Sequence, residues 1–358
     1  MLDRGHLHGD FPTKMPGALR RAGPGQRLHD MNLIADFDLS GLNTLGLAAR
    51  ARFGARIESA EAIEELAALA SGTGLPLRIL GGGSNVVLRE EVAAVVGFMA
   101  TKGKSINQRA DGSATVTAQA GEDWSEFVAW TISQGLPGLE NLAGIPGTVG
   151  AAPVQNIGAY GIELADRMES LLVWDTQERR QVRLGREDCD FSYRQSMFKR
   201  SGNRFIVLEV TFALPRDWTP NLSYPGLDSL PSDADARTIL ERVLEVRGAK
   251  LPNWRTLGNV GSFFHNPIVQ PELAQGIAGV PRYPQRDGSI KLSAAWLIEA
   301  CGFKGYRHGQ AGVYDKHALI LVNHGGATYG EITQLAAKIV ETVRDRFGVT
   351  LIQEPIEP

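Results

Sequence analysis

The segment ENLAGIPGTVGAAPVQNIGAYG, from Glu140 to Gly161, constrains the fold more than any other part of the chain. Its glycines fall at 144, 147, 150, 158 and 161, among small residues and two prolines, with Glu140 its only acidic or basic side chain. Each glycine weakens a helix or strand interior, so the run is a poor helix and too irregular for a strand. What it offers is bare backbone, whose consecutive N–H groups can approach a pyrophosphate that side chains would block. A second such stretch, GGGSN at Gly81 to Asn85, lies more than fifty residues earlier. It lacks the Lys-Ser/Thr of a P-loop, and neither stretch has the G-x-G-x-x-G spacing that opens a dinucleotide-binding helix. Either one alone reads equally as a tight turn. Two of them in one domain favour an anion cradle.

Any anion bound here has to be held by such a local site, because the formal charge of -3 gives no global pull toward nucleic acid or an acidic membrane. At 358 residues, 43% hydrophobic and 22% charged, the chain is expected to be a globular protein of two or three domains. Cys189 and Cys301 fit no metal-ligand or redox spacing and read as reduced thiols of a cytosolic protein. No apolar run approaches the ~20 residues that span a bilayer, and the N-terminus lacks a signal-peptide core, so no membrane partner is expected and the location is cytoplasmic. The first thirty residues, rich in Gly, Pro, Arg and His without apolar periodicity, read as a disordered extension, with Met31 an alternative start. His6, His8 and His29 are too loosely spaced for a metal site, and no metal is expected.

The rest is patterned. Ser59 at an N-cap, with Ile63, Leu66, Ala67 and Ala70 on one face, predicts an amphipathic helix. Short strands are expected over Leu77–Leu80 and Ala93–Met99 on either side of GGGSN. DWSEFVAWTISQG has Asp123 and Glu126 in capping-box spacing and ends at Gly135, a second helix. Strands over Glu169–Trp174 and Phe205–Leu214 bracket FSYRQSMFK. Four prolines in PRDWTPNLSYPGLDSLPSDAD mark a boundary near residue 216. Beyond it, helices are expected over Ala234–Arg247 and Ala294–Cys301 and a strand over Ala318–Asn323. A last helix is capped by Thr328 and Glu331, with Ile332, Leu335, Ala336, Ile339, Val340 and Val343 as its buried stripe.

LGGGSNVVL, LAGIPGTVGAAPVQNIGAYGIEL, FSYRQSMFK, GNVGSFFHNP, KLSAAWLIEACGFKG and the closing LIQEPIEP, collinear from about Asn43 to Pro358, together resemble the MurB family of flavoprotein UDP-N-acetylenolpyruvoylglucosamine reductases. The resemblance implies an α+β chain in three parts: an N-terminal extension over 1–42, a FAD-binding domain of the vanillyl-alcohol oxidase (PCMH) type over 43–215, and a smaller α+β substrate-binding domain over 216–358. It implies non-covalent FAD, NADPH as co-substrate, the enolpyruvyl ether of UDP-N-acetylglucosamine as substrate, and a monomer. Histidine tethers of flavin occur in oxidases of the same superfamily, and no histidine lies between His29 and His265.

By the same resemblance FAD is wrapped by Gly81, Gly82, Gly83, Ser84 and Asn85 and by Ile145, Pro146, Gly147, Gly150, Ala151, Ile157 and Gly158. Ala151 and Ala152 stand where many relatives carry hydroxyls, which leaves backbone contacts there. Arg194 is implied to hold the substrate carboxylate, Ser262 to donate a proton, and Glu354 to assist. Read without the family, Arg194 is a strand-edge cation, Ser262 a serine bonded to its own backbone, and Glu354 a surface carboxylate near a fraying end. Tyr193, Lys250 and Asn266 are implied substrate contacts. Tyr224 matches the mobile tyrosine loop of one MurB subtype, and His265 lies near the site without an implied catalytic role.

Overall fold

The structure, a computed structural model, describes residues 32–358. The expectations placed on earlier residues, among them the extension's disorder, Met31 and the three N-terminal histidines, lie outside the described residues.

Strands β1 (Ile34–Asp38), β2 (Arg50–Ile57), β3 (Leu77–Leu80) and β4 (Glu91–Met99) form a sheet in the order β1-β2-β4-β3, with β2, β4 and β3 parallel. Sequence reading assigned β1 to the extension. It is an edge strand because Phe37 packs where Gly54 has no side chain; a Cβ at Gly54 would lie 2.2 Å from the Phe37 ring. Helix α1 (Ala60–Thr73) buries Ala62, Ile63, Leu66 and Ala70. Ser59 occupies its N-cap without a side-chain cap bond.

A second, antiparallel sheet contains β5 (Lys104–Gln108) and β6 (Ala114–Gln119). The two-residue pair β7 (Gly158–Ala159) and β8 (Ile162–Glu163) closes the glycine-rich segment. Strands β9 (Met168–Asp175), β10 (Arg180–Gly185) and β11 (Phe205–Leu214) complete the sheet in the order β10-β9-β11-β6-β5. Helix α2 (Trp124–Ser133) starts where Asp123 accepts the Glu126 N–H at 2.9 Å, and it buries Trp124 and Phe127 against Phe212. Burying such aromatic side chains stabilises each contact by roughly 1.5–3 kcal/mol. One continuous core joins the two sheets. After the short helix α3 (Met197–Arg200), the core also takes in Ile239 and Val243 of α4 (Ala236–Lys250), which follows the proline-rich connector.

Residues beyond Leu251 enclose a separate core. Its strands are β12 (Gly258–Ser262), the small sheet of β13 (Ile268–Val269), β14 (Arg282–Pro284) and β15 (Ile290–Leu292), and then β16 (Arg307–His308), β17 (Ala311–Val313) and β18 (Ile320–Asn323), which join β12 in the order β12-β18-β17-β16. Helices α5 (Pro271–Gly276), α6 (Ala294–Ala300) and α7 (Tyr329–Phe347) cover them. The α7 capping box forms in full, and its buried stripe is the expected one apart from Val340, which is only partly covered. Leu45, Leu47 and Val87 cross from the first part of the chain into this second core, so the two bodies are packed together.

Candidate active site

The two glycine stretches pack against each other and together line a cavity of about 360 Å³, to which Arg194, Phe198, Lys199, Arg247, Ser262 and Glu354 also contribute. Their spacing is set by backbone contact. A Cβ on Gly82 would come 2.8 Å from the Cα of Gly147, and Ser84 Oγ donates to Pro146 O at 2.8 Å. Part of the glycine content therefore serves loop-on-loop packing. Gly150 lies off the cavity and packs on the residue after β6, its N–H bonded to Ala120 O at 2.9 Å and a Cβ there 2.4 Å from the Ala120 Cβ.

Among the described residues, the backbone N–H groups of Gly82, Gly83, Ser84 and Asn85 find no protein acceptor. Unpaired donors on a bare loop, in a cavity also lined by Lys199 and Arg247, fit the pyrophosphate of a dinucleotide. Arg247 is half-buried and has no carboxylate partner among the described residues; its companion is Tyr160. We expect Gly82→Val to purify with less than about a tenth of the parent's flavin, because the new side chain meets backbone that cannot yield. A flavin-to-protein absorbance ratio equal to the parent's would refute the cradle.

Glu354 lines the same cavity, its carbonyl accepting from Asn85 Nδ2 at 3.3 Å. The chain from Ile352 runs antiparallel to Phe263–His265, with Glu354 N–H donating to Phe263 O at 2.9 Å and His265 N–H to Ile352 O at 2.9 Å. Two residues on, Ile356 exchanges bonds with Asn85 O and the Val87 N–H. Glu357 then binds Arg89 at 3.1 Å and the Tyr329 hydroxyl. The terminal segment is thus fixed to both bodies, and Glu354 is only 7% exposed. The bland expectation of a fraying surface carboxylate does not describe it.

Arg194 lies in a tight turn closed by reciprocal bonds between Ser192 and Gln195, at a φ of 55° that disfavours side chains. That conformation turns the guanidinium inward, where one terminal nitrogen donates to Gly158 O at 3.1 Å and Nε comes 3.3 Å from Glu354 Oε1. The ion pair is close without hydrogen-bond alignment, since Arg194 Nε is buried and donates to nothing. His265 Nδ1, also buried and unbonded, lies 3.5 Å from the other carboxylate oxygen. Burial pushes the Glu354 carboxyl above its usual range, against the pull of Arg194 and Lys199. Burial, then the charges of Lys199 and Arg194, hold His265 down to about 4.

Ser262 ends β12 and lines the cavity. Its hydroxyl has no hydrogen-bond partner among the described residues, in contrast to the self-bonded serine of the bland reading.

Tyr193 is mostly buried between the bodies, near Asn266 and the ring of His265, with Lys291 Nζ 4.7 Å over its own ring. Asn266 caps α6 by accepting the Ala294 N–H at 3.0 Å. Tyr224 is 40% exposed and rests edge-on against Tyr160 at 4.8 Å. Lys250 is exposed and off the cavity, near His317. Sequence reasoning passed over Gln155, whose Oε1 accepts from Asn85 at 2.8 Å while its Nε2 donates to Glu354 Oε1 at 3.4 Å. It also passed over Lys199, whose Nζ donates to Arg194 O at 3.3 Å. Both stand inside quoted motifs, yet nothing in sequence spacing aims them at Glu354.

A sequence model described as the C-terminal domain of UDP-N-acetylenolpyruvoylglucosamine reductase matches residues 252–356, and one described as a FAD-binding domain matches residues 52–183. The UDP-N-acetylenolpyruvoylglucosamine reductase of Burkholderia cenocepacia is 45% identical over 91% of this chain and 97% of its own length. That of Cupriavidus pinatubonensis is 48% identical over 88% and 96%. Among solved structures, the MurB reductase of Thermus caldophilus superposes with a TM-score of 0.63 at 23% identity, covering 91% of this chain and 98% of that one, a likeness of fold.

Proposed function

The chain belongs to the UDP-N-acetylenolpyruvoylglucosamine reductase family, and on that premise we propose that Arg194, Ser262 and Glu354 carry its reaction beside a FAD held by the two glycine stretches. The protein is a FAD- and NADPH-dependent reductase that converts UDP-N-acetylglucosamine enolpyruvate to UDP-N-acetylmuramate for peptidoglycan precursor synthesis. Its fold is the expected one, a FAD-binding domain of the vanillyl-alcohol oxidase type followed by a smaller α+β domain. The convergence of Arg194, Ser262 and Glu354, which are far apart in sequence, on one cavity carries the assignment of roles.

FAD, when bound, supplies the redox chemistry, taking a hydride from NADPH and delivering it to the terminal enolpyruvyl carbon. The chain's part is to hold the substrate and manage charge and protons. Hydride addition leaves negative charge on the neighbouring carbon and its carboxylate. Arg194 holds that carboxylate with a planar, fixed guanidinium, and its spare donors suit two oxygens. Ser262 gives its proton to the carbanion-like carbon. Glu354, kept toward its protonated form by burial, hydrogen-bonds the growing charge without adding to it. Asn266 contacts the UDP portion and Tyr193 the substrate, Lys250 meets the UDP portion only from outside the cavity, and Tyr224 closes the rim, as in the tyrosine-loop subtype. The protein works as a cytoplasmic monomer, where its nucleotide substrates are.

Two measurements test this reading. Anaerobic NADPH should bleach the flavin absorbance, and the enolpyruvyl substrate should restore it before any air enters. Recovery by air alone would make the protein an oxidase. Acid precipitation should release all the flavin as FAD, since no histidine lies between His29 and His265. Flavin left on the precipitated chain would overturn non-covalent binding.

A further inference from the structure

The proposed reaction withdraws one proton from Ser262 in each turnover, and a serine alkoxide is too basic to accumulate, so the proton has to be replaced as it leaves. The surroundings of Ser262 limit where the replacement comes from. Phe263, its neighbour in sequence, is bonded through its carbonyl to the Glu354 N–H, which sets the Glu354 carboxyl beside the same cavity. That carboxyl is largely enclosed by protein. Its Oε2 faces His265 Nδ1 at 3.5 Å, a buried ring nitrogen with no other partner. The His265 side chain keeps 14% of its surface exposed against 9% for Glu354, so the ring is the more accessible member of the pair.

We propose that His265 and Glu354 form a proton-sharing pair that reloads Ser262 from solvent during each turnover. The inference rests on the roles assigned to Ser262 and Glu354 above and adds His265, which acts only through Glu354. The steps balance. Ser262 gives its proton to the substrate carbon and recovers one from the Glu354 carboxyl. The other ring nitrogen takes a proton from solvent as the carboxylate takes the one on His265 Nδ1, and the ring regains its Nδ1–H by proton exchange with water before the next turnover. One solvent proton enters per substrate reduced, and no charge remains in the site.

The groups around the ring suit this role. Burial, and then the positive charges of Lys199 and Arg194, disfavour the imidazolium, so the ring is neutral at neutral pH and can pass a proton without trapping it. Tyr193 stands against the ring at 6.5 Å between centroids, and Lys291 lies over the far side of Tyr193. Glu354 is the only carboxylate paired with His265 among the described residues.

The test is His265→Gln, which keeps a polar side chain that cannot relay a proton, with His265→Asn as a second variant should the first purify without flavin. Glu354 starts each experiment loaded, so in a single turnover the NADPH-reduced variant should be reoxidised by the enolpyruvyl substrate within about threefold of the parent rate. Steady-state turnover should fall at least about tenfold at pH 8, a modest share of what proton transfer contributes. The deficit should widen by up to about tenfold per pH unit as hydronium becomes scarce, and millimolar imidazole should restore part of the rate. Steady-state rates within twofold of the parent from pH 6 to 9 would overturn the pair. So would an equal loss in first and later turnovers, which would make His265 a packing residue. If Ser262→Ala reoxidises normally, the underlying reading has failed; if only His265→Gln behaves like the parent, the relay alone has failed.

Discussion

Ser262→Ala should bleach with NADPH within about twofold of the parent rate, yet be reoxidised by the enolpyruvyl substrate roughly 10²–10⁴-fold more slowly, the usual share of a positioned proton donor. A hydroxyl is a weak acid, but its partner here is a carbanion-like carbon beside a carboxylate, basic enough for transfer when the geometry is fixed. Reduction of flavin by NADPH needs no such proton. The structure makes the experiment clean, because the Ser262 hydroxyl bonds to nothing among the described residues and its loss orphans no buried group. The melting temperature should therefore stay within about a degree of the parent's. Ser262→Cys should keep more activity than alanine, since a thiol can still donate. Stopped-flow traces of both half-reactions decide the matter. If they slow in proportion, Ser262 is a packing residue and Glu354 becomes the direct donor.

Much of the scaffold is legible in the sequence because it rests on local signals. The strands Leu77–Leu80 and Phe205–Leu214 fall where composition puts them, and the capping box of Thr328 and Glu331 starts the last helix. Strand β1 is not legible, since five residues with one buried side chain carry almost no periodicity and the site for Phe37 is made by a distant glycine. The candidate site divides in the same way. Glycine density exposes the two loops, but Gly82 touching Gly147 is a contact across sixty-five positions with no local trace. Arg194 and Glu354 can be singled out by family resemblance. What makes them unusual, a left-handed backbone at one and enclosure of the other, comes from tertiary pairing. Lys199 and Gln155 stay hidden because a lysine on a short helix and a glutamine in a loop look solvated until the fold turns them inward.

Glu354→Gln should separate stability from activity more sharply than any other substitution here. Burial raises the folded-state pKa of this carboxyl, and Arg194 and Lys199 only partly oppose the shift. The sign of the pH effect follows by linkage. Below the unfolded value, about 4.3, the carboxyl is protonated in both states and the substitution is nearly neutral. As pH rises the unfolded chain ionises first, so the parent loses stability up to the folded pKa and stays lower by a constant amount beyond it. Glutamine has no proton to lose and keeps its stability across that window. The variant should therefore melt together with the parent near pH 4 and above it at pH 8. Its NADPH half-reaction should be nearly normal, while steady-state turnover with the enolpyruvyl substrate should fall by about 10²–10³-fold, the scale of a lost positioned proton donor. A glutamine amide can still hydrogen-bond but cannot pass a proton. The melting comparison carries the mechanistic weight. If the variant melts below the parent at pH 8, the two cations stabilise an ionised Glu354, and a carboxylate in that state can neither donate to the substrate's growing charge nor reload Ser262.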